Sequence, residues 1–503
     1  MGNGPGALDT YDAQVDASPR HHGGFVWEWR DHGILAHTAD GIPFFAYGGD
    51  FGEVVHDGNF VMDGMVLPDD TPTPGLAEFA AVNAPVTLAA VIDPATTRRA
   101  VIDPATTRPP RTSCEAPAPR RIRLPGRLTV VNRYHTVDTA HLRFVAVVED
   151  DGAFRSETEL AVPAVPAGGT ATVDLPAWDT ADGAETWVTV RAELAADAPW
   201  AARGHVVSHT QYAVARPARP SHAPRQVRRS DQVCDAGFDE RTGALRRLFG
   251  LDVDGPRLKL WRAPTDNDRG IANDSPDGRS AESRWRERGL DRLVHRVVAV
   301  DADGPVVRVR VGAAGSARTV DVTYRWTVTD EVALRVEVVP SPDWDCTWPR
   351  VGVRFDLPPT LRWARWFGTG PAESYPDSTR AARVGRFTAG LEELNVRYPR
   401  PQETGHRPEL RTLEVGDDAG VRLRLRTIPD PAGRRPGFTL TAHTPQELDR
   451  ARHPHELAPP TRTYLFLDDA VHGLGSAACG VDVAPQHSLW PGARAFGVAF
   501  AAP

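Results

Sequence analysis

The side chains best suited to chemistry lie in one stretch, residues 50 to 63, where acids and a histidine stand among glycines and aromatics. Its titratable members are Asp50, Glu53, His56, Asp57 and Asp63. An apolar run, Gly24 to Trp29, precedes the stretch, and its alternating aromatic residues predict a buried strand. A strand that leads into such a loop is typical of a TIM barrel, which builds its ligand site at the carboxyl ends of its strands. The alternative is an ordinary strand with a glycine-rich surface loop.

Seven sequence words decide between these alternatives. Four lie between Gly23 and Glu78: GGFVWEW, AYGGDFGE, NFVMDGMV and TPTPGLAE. Three follow later: WRAPTDND, FGTGPAESYPDS and YPRPQETGHR. In this order, the words resemble the large bacterial β-galactosidases of glycoside hydrolase family 2, and the resemblance runs from Met1 to Pro503. Several independent words in one order are far more specific than a single short motif.

The resemblance implies a mainly β fold in three parts. Residues 1–80 would be the C-terminal remnant of the (β/α)8 catalytic barrel, and 81–217 an immunoglobulin-like β-sandwich with an inserted tandem-repeat loop at 90–120. Residues 218–503 would form the small-chain-like domain, a galactose mutarotase-like β-supersandwich. Short strands with turn residues between Arg127 and Arg216, and strict alternation over Val320 to Val328, predict these sheets independently. Helices are predicted at Met1 to Arg20 and, alone in the last domain, at Ser280 to Arg292.

Length and composition bound the class of protein. A chain of 503 residues suggests three or so domains, and 41% hydrophobic with 25% charged residues is typical of globular proteins. A net charge of −8 argues against nucleic acid or an anionic membrane as partner. The four cysteines lack metal-ligand spacing, and neither a signal peptide nor a membrane-spanning run is present. The expectation is a soluble cytoplasmic protein.

The resemblance also assigns binding residues. Trp27 matches the tryptophan on which the galactosyl ring packs, and an aromatic face is the usual platform for a sugar. Phe60, through its carbonyl, and Asp63, through its side chain, match ligands of a sodium ion beside the substrate. His56 falls near an asparagine position that helps to hold a second magnesium ion, while the main magnesium ligands lie upstream. Cys479 stands where the family offers a tryptophan to the aglycone sugar, which implies weaker glucose binding and a wider entrance.

Other polar residues are interpreted as structural. Asp266, Asp268, Glu373 and Glu403 are expected to fix loops and contacts between domains rather than to bind sugar. The segment His453 to Leu457 lacks the spacing of a helical zinc motif and is expected to lie at the surface.

The function implied is retaining hydrolysis of terminal β-D-galactose residues, which needs two carboxyl groups roughly 5 Å apart. The resemblance places both catalytic glutamates upstream of Met1, so the isolated chain is predicted to be inactive. Either the chain is a fragment, or a second polypeptide supplies the missing strands that would cover Phe25, Trp27 and Trp29. The alternatives are a non-catalytic carbohydrate-binding or complementing small subunit, and a degenerate relic. The aglycone, a homo-oligomeric state, the true start and the role of the repeat at 90–109 stay open.

Overall fold

The computed structural model describes residues 4–92, 126–178, 183–215, 235–301 and 306–503. These residues divide into two compact units. The first unit takes in the described residues of 1–82, 227–382 and 387–503, and the second those of 83–226 and 383–386. The inserted loop expected at 90–120 lies, from residue 93 onward, outside the described residues. The division into three sequence domains stays a prediction.

The first part of the first unit, residues 4–82, is called the barrel segment below. Its elements are α1 (Leu8–Ala17), β1 (Ile34–His37), β2 (Pro43–Ala46) and α2 (Pro74–Val82). The strands β1 and β2 form an antiparallel pair, and a 3-10 turn covers Gly58–Val61. The helix expected between Met1 and Arg20 is confirmed by α1.

The strand predicted at Gly24 to Trp29 is wrong. The backbone there is irregular, and Arg30 makes only an isolated parallel bridge with Val66. A strand needs a ladder of partner N–H and C=O groups, whereas this run bonds to a loop: the Glu28 N–H donates to the Asp63 carbonyl and the Val66 N–H to the Trp29 carbonyl. The sequence pattern was that of a strand, but the pattern cannot supply the neighbours.

The second unit is an antiparallel sandwich. Its strands are β3 (Val86–Ile92), β4 (Gly126–Asn132), β5 (Leu142–Asp150), β6 (Ala153–Leu160), β7 (Thr170–Leu175), β8 (Thr186–Leu194) and β9 (Val206–Ala215). They form a three-stranded sheet, β3-β4-β7, and a four-stranded sheet, β6-β5-β8-β9. One apolar cluster draws on both sheets, for example Val130 from the first and Val190 from the second. This confirms the immunoglobulin-like reading of the short strands.

The larger part of the first unit, residues 235–382 and 387–503, is called the sandwich below. Its elements are β10 (Ala236–Phe238), β11 (Leu245–Leu248), β12 (Leu251–Lys259), α3 (Asp266–Arg269), α4 (Ala281–Glu287), β13 (Leu293–Val300), β14 (Val306–Ala313), β15 (Thr319–Val328), β16 (Val332–Pro340), β17 (Arg350–Leu357), β18 (Trp363–Gly370), β19 (Arg383–Gly390), β20 (Thr412–Asp417), β21 (Gly420–Ile428), β22 (Gly437–Thr441), α5 (Pro445–Arg450), β23 (Thr463–Val471) and β24 (Arg494–Ala501).

These strands build two large sheets. The six-stranded sheet has the order β10-β11-β12-β17-β23-β22, and the nine-stranded sheet the order β13-β14-β15-β16-β24-β21-β20-β18-β19. Residues of both sheets share one core, in which Val322 and Leu334 of the larger sheet join Val353 and Leu465 of the smaller. Burial alternates along β15 from Val320 to Trp326 as the sequence predicted, because each side chain points to the opposite face from its neighbours, whereas Val328 at the strand end is exposed.

The helices of the sandwich extend beyond the prediction. The helix expected at Ser280 to Arg292 is confirmed by α4 and a following 3-10 turn, Leu290–Arg292. The expectation that it is the only helix is wrong, because α3 and α5 are also present. Both begin with a capping box, in which the side chain of Thr265 or Thr444 accepts from the backbone N–H three residues later.

Candidate functional site

The barrel segment presents an open aromatic face. Phe25, Trp27 and Trp29 are 103%, 80% and 61% exposed, so the expectation that they lack cover is confirmed. Trp27 is held beside Asp63 through its neighbour, since the Glu28 N–H donates to the Asp63 carbonyl over 3.1 Å. The bond thus brings together the two chain segments that carry Trp27 and Asp63. Large apolar side chains this exposed mark a binding surface.

Asp63 fits a cation ligand. It follows the 3-10 turn Gly58–Val61, which carries Phe60, and its Oδ1 atom is buried without a hydrogen-bond partner. Burial raises the pKa of Asp63 above its ordinary value, and the nearby Glu28 carboxylate adds to this rise. An orphaned carboxylate oxygen is costly, and a hard cation such as sodium would satisfy it. The described residues hold no group of three or more His, Cys, Asp or Glu able to bind a metal, so such a site would need backbone carbonyls such as that of Phe60.

His56 lies in a loop whose residues form hydrogen bonds with one another. Its Nδ1 atom accepts from the Gly58 N–H at 3.0 Å, and its ring packs over Gly49, where a Cβ would come within 2.7 Å of Nε2. The Glu53 carboxylate accepts from the N–H groups of Gly49 and Phe51, and these bonds lower the pKa of Glu53. The magnesium role of His56 stays a prediction.

Asp31 is a functional-site candidate that sequence reasoning missed. It is 5% exposed and accepts from the Gly64 N–H at 2.7 Å. Burial raises the pKa of Asp31 to about 6. The signal in the sequence was Gly64: a Cβ there would lie 2.1 Å from the Asp31 nitrogen, so only glycine allows this close approach.

The barrel segment is bonded to the sandwich through polar contacts. The Asn59 Nδ2 donates to Asp266 at 2.8 Å, and the Arg400 guanidinium donates to Asn59 Oδ1 at 2.7 Å. Gln402 donates to the same Asp266 carboxylate. Asp266 therefore fixes a loop, as the sequence analysis expected.

A second contact overturns the expectation for His453, although Glu456 of the same segment lies at the surface. His453 is 3% exposed rather than at the surface, because its ring packs on Tyr47 and Phe44 of the barrel segment and stacks on His455. Its Nε2 atom lies 2.9 Å from Asp50 Oδ2, and Asp50 also binds Arg452 at 3.0 Å. Spacing alone could not reveal a partner that lies 400 residues away along the chain.

The remaining acids of the sandwich are also structural, as expected. Asp268 binds Arg262 with both oxygens, at 2.9 and 2.6 Å. Glu373 accepts from Tyr398, Thr404 and the Gly405 N–H. Burial raises the pKa of Glu403 to about 7, although Arg350 and Arg262 act against this rise.

Cys479 is exposed, although most of its loop, residues 473–480, is buried or half-buried; this segment is called the Cys479 loop below. Its N–H donates to the Ser476 carbonyl, and its carbonyl accepts from Asn273 at 3.3 Å. The loop touches the barrel segment through Gly6 and Tyr11. A substrate role for Cys479 stays a prediction.

Three family models match successive parts of this chain. Residues 230–500, more than half of the chain, match the family model for the beta-galactosidase small chain. Residues 128–215 match beta-galactosidase domain 4, and residues 1–88 match the TIM barrel domain of glycosyl hydrolases family 2. The fold and these matches together define a chain built from part of a family 2 barrel and two β-sandwich domains of the beta-galactosidase type.

Individual relatives agree. A beta-galactosidase of Arthrobacter sp. (strain B7) is 45% identical over 98% of this chain and 48% of the relative. A beta-galactosidase of Aeromonas hydrophila subsp. hydrophila is 29% identical over 98% of this chain and 46% of the relative. The chain therefore belongs to the β-galactosidases of glycoside hydrolase family 2, and it spans about half the length of the curated relatives it matches. Among solved structures, an Aspergillus nidulans amine oxidase matches with a TM-score of 0.22 and 10% identity, over 75% of this chain and 66% of that chain. A TM-score this low does not indicate a shared fold.

No helix in the described part of the chain is both long and apolar enough to cross a membrane.

Proposed function

We propose that this chain forms the galactose platform, part of a sodium site and the aglycone wall of a retaining β-galactosidase. The observation that carries the proposal is that an exposed tryptophan, Trp27, lies on a segment bonded to Asp63, a partly buried carboxylate whose Oδ1 has no partner. The apolar face of galactose would pack on the Trp27 ring, while a sugar hydroxyl would approach the Asp63 side. The family relationship supports the substrate class, terminal β-D-galactosides.

A sodium ion bound by Asp63 and the Phe60 carbonyl would supply a hard positive charge to a sugar hydroxyl. The chain's own part is to orient that charge. The hydrogen bond from Glu28 to the Asp63 carbonyl fixes the backbone between the platform and the ligand. The proposal also includes a magnesium ion, whose main ligands the resemblance places upstream. His56 would lie near a second magnesium ion.

Three carboxylates of the barrel segment, those of Glu28, Asp50 and Glu53, already have partners. Glu28 lies 2.6 Å from the His32 imidazole, Asp50 is bound by Arg452 and His453, and Glu53 accepts two backbone N–H groups. A retaining glycosidase needs a nucleophile and an acid/base that are free to react. We therefore propose that the catalytic glutamates come from barrel strands other than those described here, and that the chain alone does not hydrolyse β-galactosides.

The second candidate is a non-catalytic, complementing subunit of a two-chain β-galactosidase. The exposed face of Phe25, Trp27 and Trp29 favours it, because further barrel strands from a separate chain could cover that face. The two candidates share a substrate and differ only in how the catalytic strands are supplied.

Reconstitution tests the proposal. The chain would be mixed with the remaining, N-terminal part of the Arthrobacter relative, and hydrolysis of o-nitrophenyl β-D-galactoside would be followed. We expect activity from the mixture and none from either part. Trp27→Ala should abolish it, whereas the control Trp200→Ala, at a tryptophan 64% exposed in the second unit, should not. Turnover by the chain alone, or equal activity of the two variants, would contradict the proposal.

A further inference from the structure

Two buried side chains, Arg262 and Asp377, form hydrogen bonds with the backbone at the beginning of the Cys479 loop. The Arg262 guanidinium donates to the carbonyls of His472 and Gly473, each at 2.9 Å. The Asp377 carboxylate accepts from the next two N–H groups, those of Leu474 and Gly475, each at 2.8 Å. Arg262 is 1% exposed and Asp377 is 6% exposed. Four consecutive residues thus have their backbone groups bound by opposite charges, shielded from water.

Two glycines leave the space that the Asp377 carboxylate occupies. A Cβ at Gly6 would lie 2.2 Å from Asp377 Oδ2, and a Cβ at Gly473 would lie 2.7 Å from the same atom. Any other residue at either position would push the carboxylate away from the loop. Glycine at both positions is therefore required by the contact with Asp377.

The same aspartate ties the loop to the barrel segment. The Asp377 carbonyl accepts from the Ala7 N–H at 2.6 Å, and the Gly475 carbonyl accepts from the Gly6 N–H at 2.7 Å. One residue therefore binds the loop with its side chain and the barrel segment with its backbone. A displacement of Asp377 would change the position of the loop relative to the segment that carries Trp27.

The far end of the loop is held by different residues. The Ala478 N–H donates to Asn267 Oδ1 at 3.2 Å, and Asn267 Nδ2 donates to the Gly4 carbonyl at 3.1 Å. Asn273 binds the carbonyls of Cys479 and Gly480. Cys479 itself makes no side-chain contact that would hold the loop among the bonds described, so its place depends on these flanking anchors.

We propose that Asp377 is a positioning residue that fixes the Cys479 loop against the barrel segment and so sets the fit of the aglycone. This inference rests on the proposed function, because the aglycone role has meaning only in a β-galactosidase. Asp377 touches neither sugar nor reacting atoms. It acts through the two buried N–H groups, which would otherwise be left without acceptors.

The first measurement is amide hydrogen exchange on the chain, which needs no activity. Asp377→Asn keeps the shape but offers one acceptor oxygen and turns an NH2 group toward a donor. We expect exchange at Leu474 and Gly475 to quicken by roughly tenfold or more for the hydrogen bond lost, with α4 unchanged. The matched control is Asp239→Asn, since Asp239 likewise accepts two backbone N–H groups, from Arg241 and Thr242, in the turn between β10 and β11. Unchanged exchange at Leu474 and Gly475 would overturn the proposal.

The second measurement is kinetic, on the enzyme reconstituted as above. We expect Asp377→Asn to raise KM for lactose at least about fivefold relative to o-nitrophenyl β-D-galactoside, with kcat for the aryl substrate changed less than about twofold. A purely structural role would lower both activities together, and that result would overturn the aglycone role. If Asp377→Asn does not fold, Asn267→Ala releases the Ala478 N–H at the other anchor and should produce the same KM shift; no shift would count against the proposal.

Failure of the proposed function is distinguishable. Reconstitution that yields no activity with the unchanged chain would refute that function and, with it, the aglycone role. The exchange rates at Leu474 and Gly475 would still decide whether Asp377 holds the loop.

Discussion

Glu78 on α2 should determine how firmly the barrel segment is held on the sandwich. Its carboxylate is 4% exposed and accepts three backbone N–H groups from one loop of the sandwich. Oε1 binds the N–H groups of Thr379 and Arg380, both at 3.0 Å, and Oε2 binds that of Ala381 at 2.9 Å. The perturbations are Glu78→Ala, which removes all three acceptors, and Glu78→Gln, which retains one oxygen.

The magnitude follows from these bonds and from what opposes them. Three hydrogen bonds to a charged group at about 1.5 kcal/mol each give about 4.5 kcal/mol before the opposing effects are counted. Burial raises the pKa of Glu78 in spite of the three bonds, so desolvation of the carboxylate offsets part of that gain, and Thr379 and Arg380 are exposed enough for water to replace some of it. We expect a loss of about 2–4 kcal/mol for Glu78→Ala. Glu78→Gln should cost about 1–2 kcal/mol, because its single oxygen can keep the two bonds made by Oε1.

Amide hydrogen exchange on α2 and residues 379–381 is the assay, since a chain of two units has no single free energy of unfolding. A loss of about 2–4 kcal/mol corresponds to roughly 30- to 700-fold faster exchange. Strand β5 of the second unit serves as an internal reference, and Glu240→Gln, at an exposed turn, as the control variant. Unchanged exchange in Glu78→Ala, or Glu78→Gln as costly as Glu78→Ala, would refute the reasoning.

The sign of the pH dependence gives a second check. A carboxyl whose pKa is raised by folding binds more protons in the folded state than in the unfolded state. Its contribution to stability is therefore present below the ordinary pKa of glutamate and is lost as the pH rises through the raised value. After division by the intrinsic exchange rate at each pH, the protection of α2 should fall over that window in the unchanged chain and stay level in Glu78→Gln.

Three further outcomes are expected. Burial, aided by Arg354 and Arg257, lowers the pKa of Lys259 to about 7, so the unfolded chain binds the extra proton between about pH 7 and 10.5 and stability should rise with pH there. The slope in the unchanged chain is at most about 1.4 kcal/mol per pH unit, and less after solvent screening, and Lys259→Met should flatten it. Urea unfolding of the first unit at several pH values measures the slope, and an unchanged slope in the variant would contradict this. Asp63→Ala should abolish sodium binding followed by sodium-23 NMR relaxation while Asp63→Asn retains weaker binding, and equal relaxation in both variants would exclude the site. Replacing Phe25 and Trp29 together by serine should reduce aggregation and the fluorescence of a bound apolar dye, whereas Phe154→Ser, at an isolated exposed phenylalanine, should not.

How far the sequence predicts the fold depends on the range of the contacts. The alternation of Val320, Val322, Tyr324 and Trp326 predicted the buried face of β15, because a side-chain period of two is a local property of an extended chain. The short strands of the second unit were found for the same reason. The helices α3 and α5 were missed although their capping boxes were visible in the sequence, since each spans only four to six residues.

The candidate site stays a prediction. The resemblance picked out Trp27 and Asp63, and the bond from the Glu28 N–H to the Asp63 carbonyl brings their two chain segments together. It did not pick out Asp377, whose role needs Gly6, nearly 400 residues earlier, and Leu474, nearly 100 residues later.

The sequence by itself determined the family and the mainly β class, because these follow from local patterns and from words shared with relatives. Only the tertiary structure decided that Gly24 to Trp29 is not a strand, that His453 is buried against Tyr47, and that Asp63 Oδ1 has no partner. Those properties depend on which groups lie beside a residue in space. Strand pairing, burial and hydrogen-bond satisfaction are contacts between distant parts of the chain, and no local pattern contains them.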